Sequence, residues 1–422
     1  MIYALILFAI TYVLMLTFSK YRPYIALASA LVFILTGMLP LDQIFTAIDW
    51  NVLLMIAGTM GLVQLFIDSH MPARLADMIM TKVPNVQMAA VALALFAGII
   101  SAFVDNVATV LMVAPVALAI CKKLNTNPVP FIIGIAVSSN LQGAATLVGD
   151  TTAIMLGSYA DMSFLDFFWY KGRPGIFFAV ELGAVASALI LAWLFRKEKK
   201  PIDRATQLTP VTDYVPTVLL AGMIVLLISA SFLPSKPDIT NGLICVTLFV
   251  IGMVYTYVRT RKTEAFTGPI KSIDFETIGL LLGLFLVIGG ITHMGVVDAA
   301  AGLLAKMGGG NVFLIYTVIV WASVLFSAFI DNIPYVATML PVVTGLASTL
   351  GIDPTLLYFG LLSGATLGGN MTPIGASANI AGIGILRREG YEVKTGDFCR
   401  IGIPFTLAAV IPAYIYFWVV FA

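Results

Sequence analysis

Long apolar runs broken by short polar stretches set the pattern of this 422-residue chain. Ile2–Phe18, Val215–Leu233, Leu243–Tyr257 and Ile278–Thr292 each approach the roughly 20 apolar residues that carry a helix across a bilayer core. The short alternating segments of an outer-membrane barrel do not occur. The pattern predicts an all-α polytopic membrane protein, crossing the cell (inner or plasma) membrane several times. The first run is followed at once by a second and carries no small-residue cleavage site. It therefore reads as a membrane helix and not as a signal peptide.

The polar stretches give the organisation. The longest, RKEKKPIDRATQLTPVTDYVP at Arg196–Pro216, lies near the middle. It predicts a membrane repeat at 1–195, a cytoplasmic linker at 196–215 and a second membrane repeat at 216–422. Smaller basic clusters stand at Lys20 and Arg22 and at Arg259–Lys262. Short Lys/Arg-rich loops remain in the cytoplasm. The three clusters agree if the first helix runs outside to inside, which puts Pro234–Asn241 outside.

The halves resemble each other. SAFVDN at 101–106 returns as SAFIDN at 327–332, 226 residues later (327 − 101). The same offset pairs Asp105 with Asp331, Asn106 with Asn332 and Pro115 with Pro341. It also pairs Gly143 with Gly369, Thr146 with Thr372 and Gly149 with Gly375. His70 and His293 align upstream with a three-residue gap. This is an internal duplication. Opposite charge bias at the start of each half predicts inverted topology, as in many secondary transporters.

Composition narrows the class. Hydrophobic residues are 60% of the chain and charged residues 11%, with mean hydropathy +1.01, against about 25% charged in a soluble domain. A net charge of +1 without a basic domain excludes nucleic acid as a partner. Cys121, Cys245 and Cys399 stand alone, without metal-ligand spacing. Nucleophile, zinc-protease and Walker-type motifs are missing, which argues against an enzyme.

An ionised Asp at mid-membrane costs on the order of 2.5–3.5 kcal/mol. Two of them in equivalent places need partners. Pro334 follows Asp331-Asn332, and proline suits the first turn of a helix. Each Asp-Asn pair therefore marks a break with a helix starting just after it, whose free N–H groups can bond the side chain or an anion. The stretches 143–154 and 369–380 are rich in Gly, Thr, Asn and Ser. They predict unwound backbone near Leu147–Thr151 and Thr372–Ala376. The candidate ion- or substrate-binding residues are Asp105, Asn106, Thr109, Thr146, Gly149, Asp150, Thr151, Asp331, Asn332, Thr372, Pro373, Gly375, Ser377 and Asn379. Na⁺ would sit at Asp105, Asn106, Asp331 and Asn332. Asp150, opposite Ala376, reads equally as an ion ligand or a helix cap.

These motifs, DNVAT and DNIPYVAT with ATLVGDTT and MTPIGASAN, resemble the ion transporter superfamily. It groups arsenite permeases, NhaD-type sodium/proton antiporters, the melanosomal P protein and di- and tricarboxylate transporters. The resemblance implies two inverted repeats, each with a re-entrant helical hairpin and a discontinuous helix, and a homodimer with elevator-like motion. Asp105 and Asp331 stand where the carboxylate branch has serine, which moves the likeness toward the other branches. The expectation is a secondary active transporter in membrane lipid, with no cofactor beyond its coupling ion, H⁺ or Na⁺. Its cargo would be a small inorganic anion or a metalloid such as arsenite. The alternatives are a sodium/proton antiporter, a di- or tricarboxylate transporter, a channel and an intramembrane aspartyl enzyme.

Overall fold

The computed structural model describes residues 1–201, 208–233 and 236–422. Residues 202–207 of the linker and 234–235 of the outer loop lie outside the described part. The first half folds as α1 (Ile2–Thr17), α2 (Arg22–Leu35), α3 (Ile44–Ala47), α4 (Trp50–Asp68), α5 (Met71–Met80), α6 (Val86–Ser101), α7 (Asn106–Leu124), α8 (Val129–Gly143), α9 (Thr151–Tyr159) and α10 (Ile176–Leu194). A short antiparallel hairpin, β1 (Trp169–Tyr170) and β2 (Arg173–Pro174), precedes α10. The second half follows as α11 (Val215–Ser231), α12 (Thr240–Thr260), α13 (Glu264–Lys271), α14 (Phe275–His293), α15 (Val296–Met307), α16 (Val312–Ser327), α17 (Asn332–Leu350), α18 (Thr355–Gly368), α19 (Ser377–Arg388) and α20 (Thr395–Phe421). Seven of the described helices are long and apolar enough to cross a membrane.

The two series repeat element by element, down to the caps. Asp49 accepts from Val52 N–H at the start of α4, and Asp274 from Thr277 N–H at the start of α14, each at 3.0 Å. Asn85 and Asn311 do the same for α6 and α16. Each side chain takes up an N–H that the helix leaves unpaired. α7 ends on Asn125 at φ 50° and α17 on Gly351 at φ 66°, the left-handed stop that releases the chain from a helix. The geometry corrects one sequence alignment. His70 starts α5 at φ 61°, where Gly295 starts α15 at φ 72°. His293 ends α14 as Asp68 ends α4. The two histidines are therefore not equivalent.

The halves interleave. α4 lies along α12: Gly242 faces Leu54, Gly58 faces Cys245 and Gly252 faces Leu65, so the two helices run in the same direction. α2 lies along α14 in the same way, with Gly279 against Pro23 and Gly290 against Phe33. α10 and α20 run antiparallel: Gly183 meets Ala409, Ser187 donates to Phe405 O and Tyr416 donates to Pro174 O. A first group of helices is thus α1, α2, α4, α11, α12 and α14. The second group is α6–α10 with α16–α20, where α6 packs on α8, α16 on α18 and α19 on α7 and α8. The short helices α5 and α15 join the groups, α15 bending by 118° into α16.

Polar contacts define two ends. At the linker end, Val86 and Gln87 N–H bond Lys200 and Glu198 O, Thr212 N–H bonds Ser69 O, and Lys122 pairs with Glu389. At the far end, where α10 begins, Lys171 pairs with Asp353 and Arg173 bonds Val420 O. The hairpin α6–α7 therefore enters from the linker end and α16–α17 from the far end.

Candidate functional site

Asp105 and Asp331 stand at the tips of the two hairpins. The Asp105 carboxylate accepts from Val107 and Ala108 N–H at 3.0 and 3.1 Å, capping α7. Asp331 accepts from Ile333 N–H at 3.2 Å, capping α17, and pairs with Arg22 Nη1 at 3.1 Å. Opposite the tips the α8–α9 and α18–α19 spans are broken. α8 stops at Gly143 and α9 starts at Thr151; α18 stops at Gly368, runs through a 3₁₀ turn at Gly369–Met371 and restarts at Ser377. Thr146 Oγ1 ties the first break to Ala102 O at one tip, and Thr372 Oγ1 ties the second to Ala328 O at the other.

The glycines fix how close break and tip come. An added Cβ on Gly149 would lie 2.6–3.0 Å from the carbonyl oxygens of Gly143, Ser101 and Ala102. On Gly375 it would lie 2.6–2.9 Å from those of Gly369, Ser327 and Ala328. Three backbone oxygens thus close on the glycine Cα in each half and leave no room for a side chain.

A buried chain of hydrogen bonds links the two tips. Asn106 Nδ2 donates to Asn140 Oδ1 at 3.0 Å, and Asn140 Nδ2 donates to Asn370 Oδ1 at 3.0 Å and Thr366 O at 2.7 Å. Thr366 Oγ1 meets Thr152 Oγ1 at 3.0 Å. Thr152 Oγ1 donates to Asp150 Oδ2 at 2.8 Å, and Asn332 Nδ2 reaches the same oxygen at 3.4 Å. Asp150 makes no side-chain cap on α9, and its carboxylate is instead shared between the halves. A network satisfied this fully rigidifies the site.

A cavity of about 440 Å³ opens beside the network at the linker end. Of the sequence candidates, Asp105, Asn106, Asp150, Thr151, Asn332 and Ser377 line it. Asp331 lies in an adjoining cavity with Ser377. Thr109 and Asn379 are buried, and Thr109 Oγ1 and Asn379 Oδ1 have no partner among the described residues. Pro373 is half-buried and lines neither cavity. Asp274, Thr277 and Gln64 also line the main cavity and escaped sequence reading. So did Asn140, Thr366 and Asn370. A lone polar residue in an apolar helix gives no sign of the direction it faces, but the second Asp-capped helix start at Asp274 was a legible signal.

The tips sit at different levels. Asp105 shares a small pocket with Ile56, Thr59 and Met60 in the middle of α4. Asp331 shares a cavity with Asp274, Thr277 and Leu280 in the first turns of α14.

Hairpins, broken spans and doubled halves are the parts of a carrier, and comparison with known proteins agrees. Residues 5–361, and again 246–422, match the family described as CitMHS, citrate transporter. The chain belongs to the citrate transporter family. It is thus a multi-pass membrane transporter and not an enzyme. Family relatives include an uncharacterised transporter of Mycobacterium tuberculosis, 30% identical over 98% of this chain and 97% of that protein. The human P protein is 29% identical over 74% of this chain and 46% of its own length. The fold is shared with solved transporters: YdaH of Alcanivorax borkumensis (TM-score 0.61, 14% identity, 89% of this chain and 87% of that one) and MtrF of Neisseria gonorrhoeae (TM-score 0.60, 17% identity, 93% and 85%).

Proposed function

We propose that this protein is a secondary active transporter coupled to H⁺ or Na⁺, whose cargo enters the site neutral or positively charged. The observation that carries this is the charge of the cavity. Asp105, Asp150 and Asp274 line it, and no Lys, Arg or His does among the described residues. Like charges about 4 Å apart repel by about 4 kcal/mol at an effective dielectric near 20. Phosphate, sulfate or a free tricarboxylate is therefore disfavoured. An uncharged metalloid hydroxide of the arsenite type is favoured, or Na⁺ itself as in an antiporter. The family description supports a second reading, in which a carboxylate enters with its charge neutralised by a bound cation.

Alternation follows from the duplication. We read the halves as inverted, because the equivalent helices α10 and α20 run antiparallel and the hairpins enter from opposite ends. The linker end, with Lys122, Arg196, Lys200, Arg387 and Arg388, is then the cytoplasmic one. With α14 mapped on α4 (275 − 50 = 225), residues 274–280 correspond to 49–55. The two tips thus differ by about six residues in level, roughly 9 Å at 1.5 Å per residue. Exchanging the roles of the halves moves the second group of helices outward by that distance and opens the site to the other side.

The test is a thermal-shift panel of Na⁺, arsenite, phosphate, sulfate, citrate and citrate with Mg²⁺ at two pH values, followed by counterflow in proteoliposomes. A ligand that binds the folded state stabilises it. Stabilisation and counterflow by free phosphate or sulfate alone would refute the charge argument.

A further inference from the structure

We infer that Arg22 is a resident counter-cation for Asp331 that competes with the coupling ion, so the second hairpin can leave its inward position only after H⁺ or Na⁺ has replaced the guanidinium. The inference rests on the cation-coupled reading above and adds a residue that the binding motifs do not contain.

Four ion pairs join described residues, and this one is set apart by burial. The side chains of Arg22 and Asp331 are 19% and 12% exposed, whereas each of the others has a partner at least 49% exposed. It also crosses between the two groups of helices. Arg22 opens α2, which lies along α14, and its Nε donates to Met15 O at 3.3 Å, which anchors the guanidinium to α1. Asp331 is on the hairpin tip. Tyr12 of α1 holds the same tip, donating to Pro334 O at 2.6 Å and bonding Thr338. The other charged groups facing Asp331 are Lys20 ahead of α2 and Asp274 and Glu276 on α14, with Asp150 reached through Asn332.

The first hairpin has no such partner. Pro23 faces Gly279 as Gly242 faces Leu54, so the residue equivalent to Arg22 is Asn241. Asp105 makes no ion pair with a described residue. The protein thus neutralises one of its paired carboxylates and leaves the other to the cargo side. Withdrawing one partner from a largely buried pair is costly because it leaves an uncompensated charge, and a second cation at the carboxylate removes that charge. Outward movement withdraws Asp331 from Arg22, so it requires the exchange.

The test uses full-length protein with Arg22→Gln, Arg22→Lys and Asp331→Asn. The readouts are the Na⁺ and H⁺ concentrations that give half-maximal thermal stabilisation and half-maximal cargo counterflow. An opposite charge within about 4–6 Å changes a carboxylate's affinity for its cation by roughly one to three powers of ten. Arg22→Gln should therefore lower the half-saturating concentration by about tenfold or more and allow exchange at cation levels that stall the wild type. Arg22→Lys, which keeps the charge without the fork, should lower it by less. Half-saturation unchanged in both Arg22 variants, with cation dependence lost in Asp331→Asn, overturns the role of Arg22 alone. Wild-type cation dependence in Asp331→Asn overturns coupling at this carboxylate and the inference with it, and the same result in Asp105→Asn as well overturns the cation-coupled reading.

Discussion

Replacing Gly149 or Gly375 with alanine probes the closest approach in the site. The new Cβ of Gly149→Ala would meet Gly143 O at 2.6 Å, Ser101 O at 2.9 Å and Ala102 O at 3.0 Å, where ordinary contact begins at 3.4 Å. The three oxygens would have to retreat by 0.8, 0.5 and 0.4 Å (3.4 less each distance). All are backbone atoms, they close in from the ends of two helices, and Thr146 holds one of them. Overpacking a tight site costs typically 1–3 kcal/mol, and three rigid contacts put this change at the upper limit, about 3 kcal/mol. Gly375→Ala should lose as much, with contacts at 2.6, 2.8 and 2.9 Å. Gly384→Ala is the reference, because nothing lies within 4 Å of its Cβ; it should gain roughly 0.5–1 kcal/mol of helix stability. Thermal unfolding of the three purified variants, with and without Na⁺, checks the order. If Gly149→Ala and Gly375→Ala unfold no earlier than Gly384→Ala and still transport, break and tip do not pack against each other as described.

Asp105→Asn keeps a capping side chain but removes the charge; we expect gradient-driven transport to vanish while exchange of labelled cargo partly survives, as measured in proteoliposomes with and without an imposed gradient. Asn140→Ala leaves Asn106, Asn370 and Thr366 O short of a partner, each worth roughly 1–3 kcal/mol when buried, so thermal unfolding should report a loss of at least about 3 kcal/mol. Spin labels at exposed Asp42, at the far end of the first group, and exposed Lys123, at the linker end of the second, should approach by up to about 9 Å between cation-free and loaded protein, from the six-residue difference in level; an unchanged distance refutes the stroke. Burial pushes the Asp353 carboxyl up, but Lys171 and Thr355 hold it below the ordinary carboxylate range. Its stabilisation is present above about pH 4 and fades as pH falls through the lowered value. With both side chains about half exposed, Asp353→Asn should cost under about 1 kcal/mol and flatten the acid limb of a stability profile.

The parts of the fold legible in sequence were those written in backbone chemistry. A repeated Asp-Asn pair marked both hairpin tips, with Pro334 behind the second, and Gly, Thr and Asn clusters marked breaks that fall at 144–150 and 369–376. These residues act locally, so their meaning survives without knowledge of the partner. Arg22, Asn140, Asn370 and Thr366 act across the halves, and no local pattern says which remote carbonyl or carboxylate they face. Arg22 in particular read as a charge at a helix end that sets orientation. The histidine alignment failed for a related reason: His70 holds a left-handed position that its counterpart fills with Gly295, so chemical likeness to His293 misled where backbone conformation decided.

The interleaving of the halves sets a timetable for synthesis. α2 packs on α14, α4 on α12 and α10 on α20, so none of these surfaces is covered until the second half has emerged. Between the ends of α10 and α20 lie 227 residues (421 − 194), roughly 10–45 s of translation at 5–20 residues per second. Until residue 370 has been made, 176 residues past the end of α10 (370 − 194), Asn140 and Asp150 stand in the bilayer without the full set of Asn332, Thr366 and Asn370. The nascent chain therefore passes through a stage at which its first half is fully inserted and only half packed. A ribosome that stalls before α17 leaves a polar seam facing lipid, where membrane quality control can recognise it.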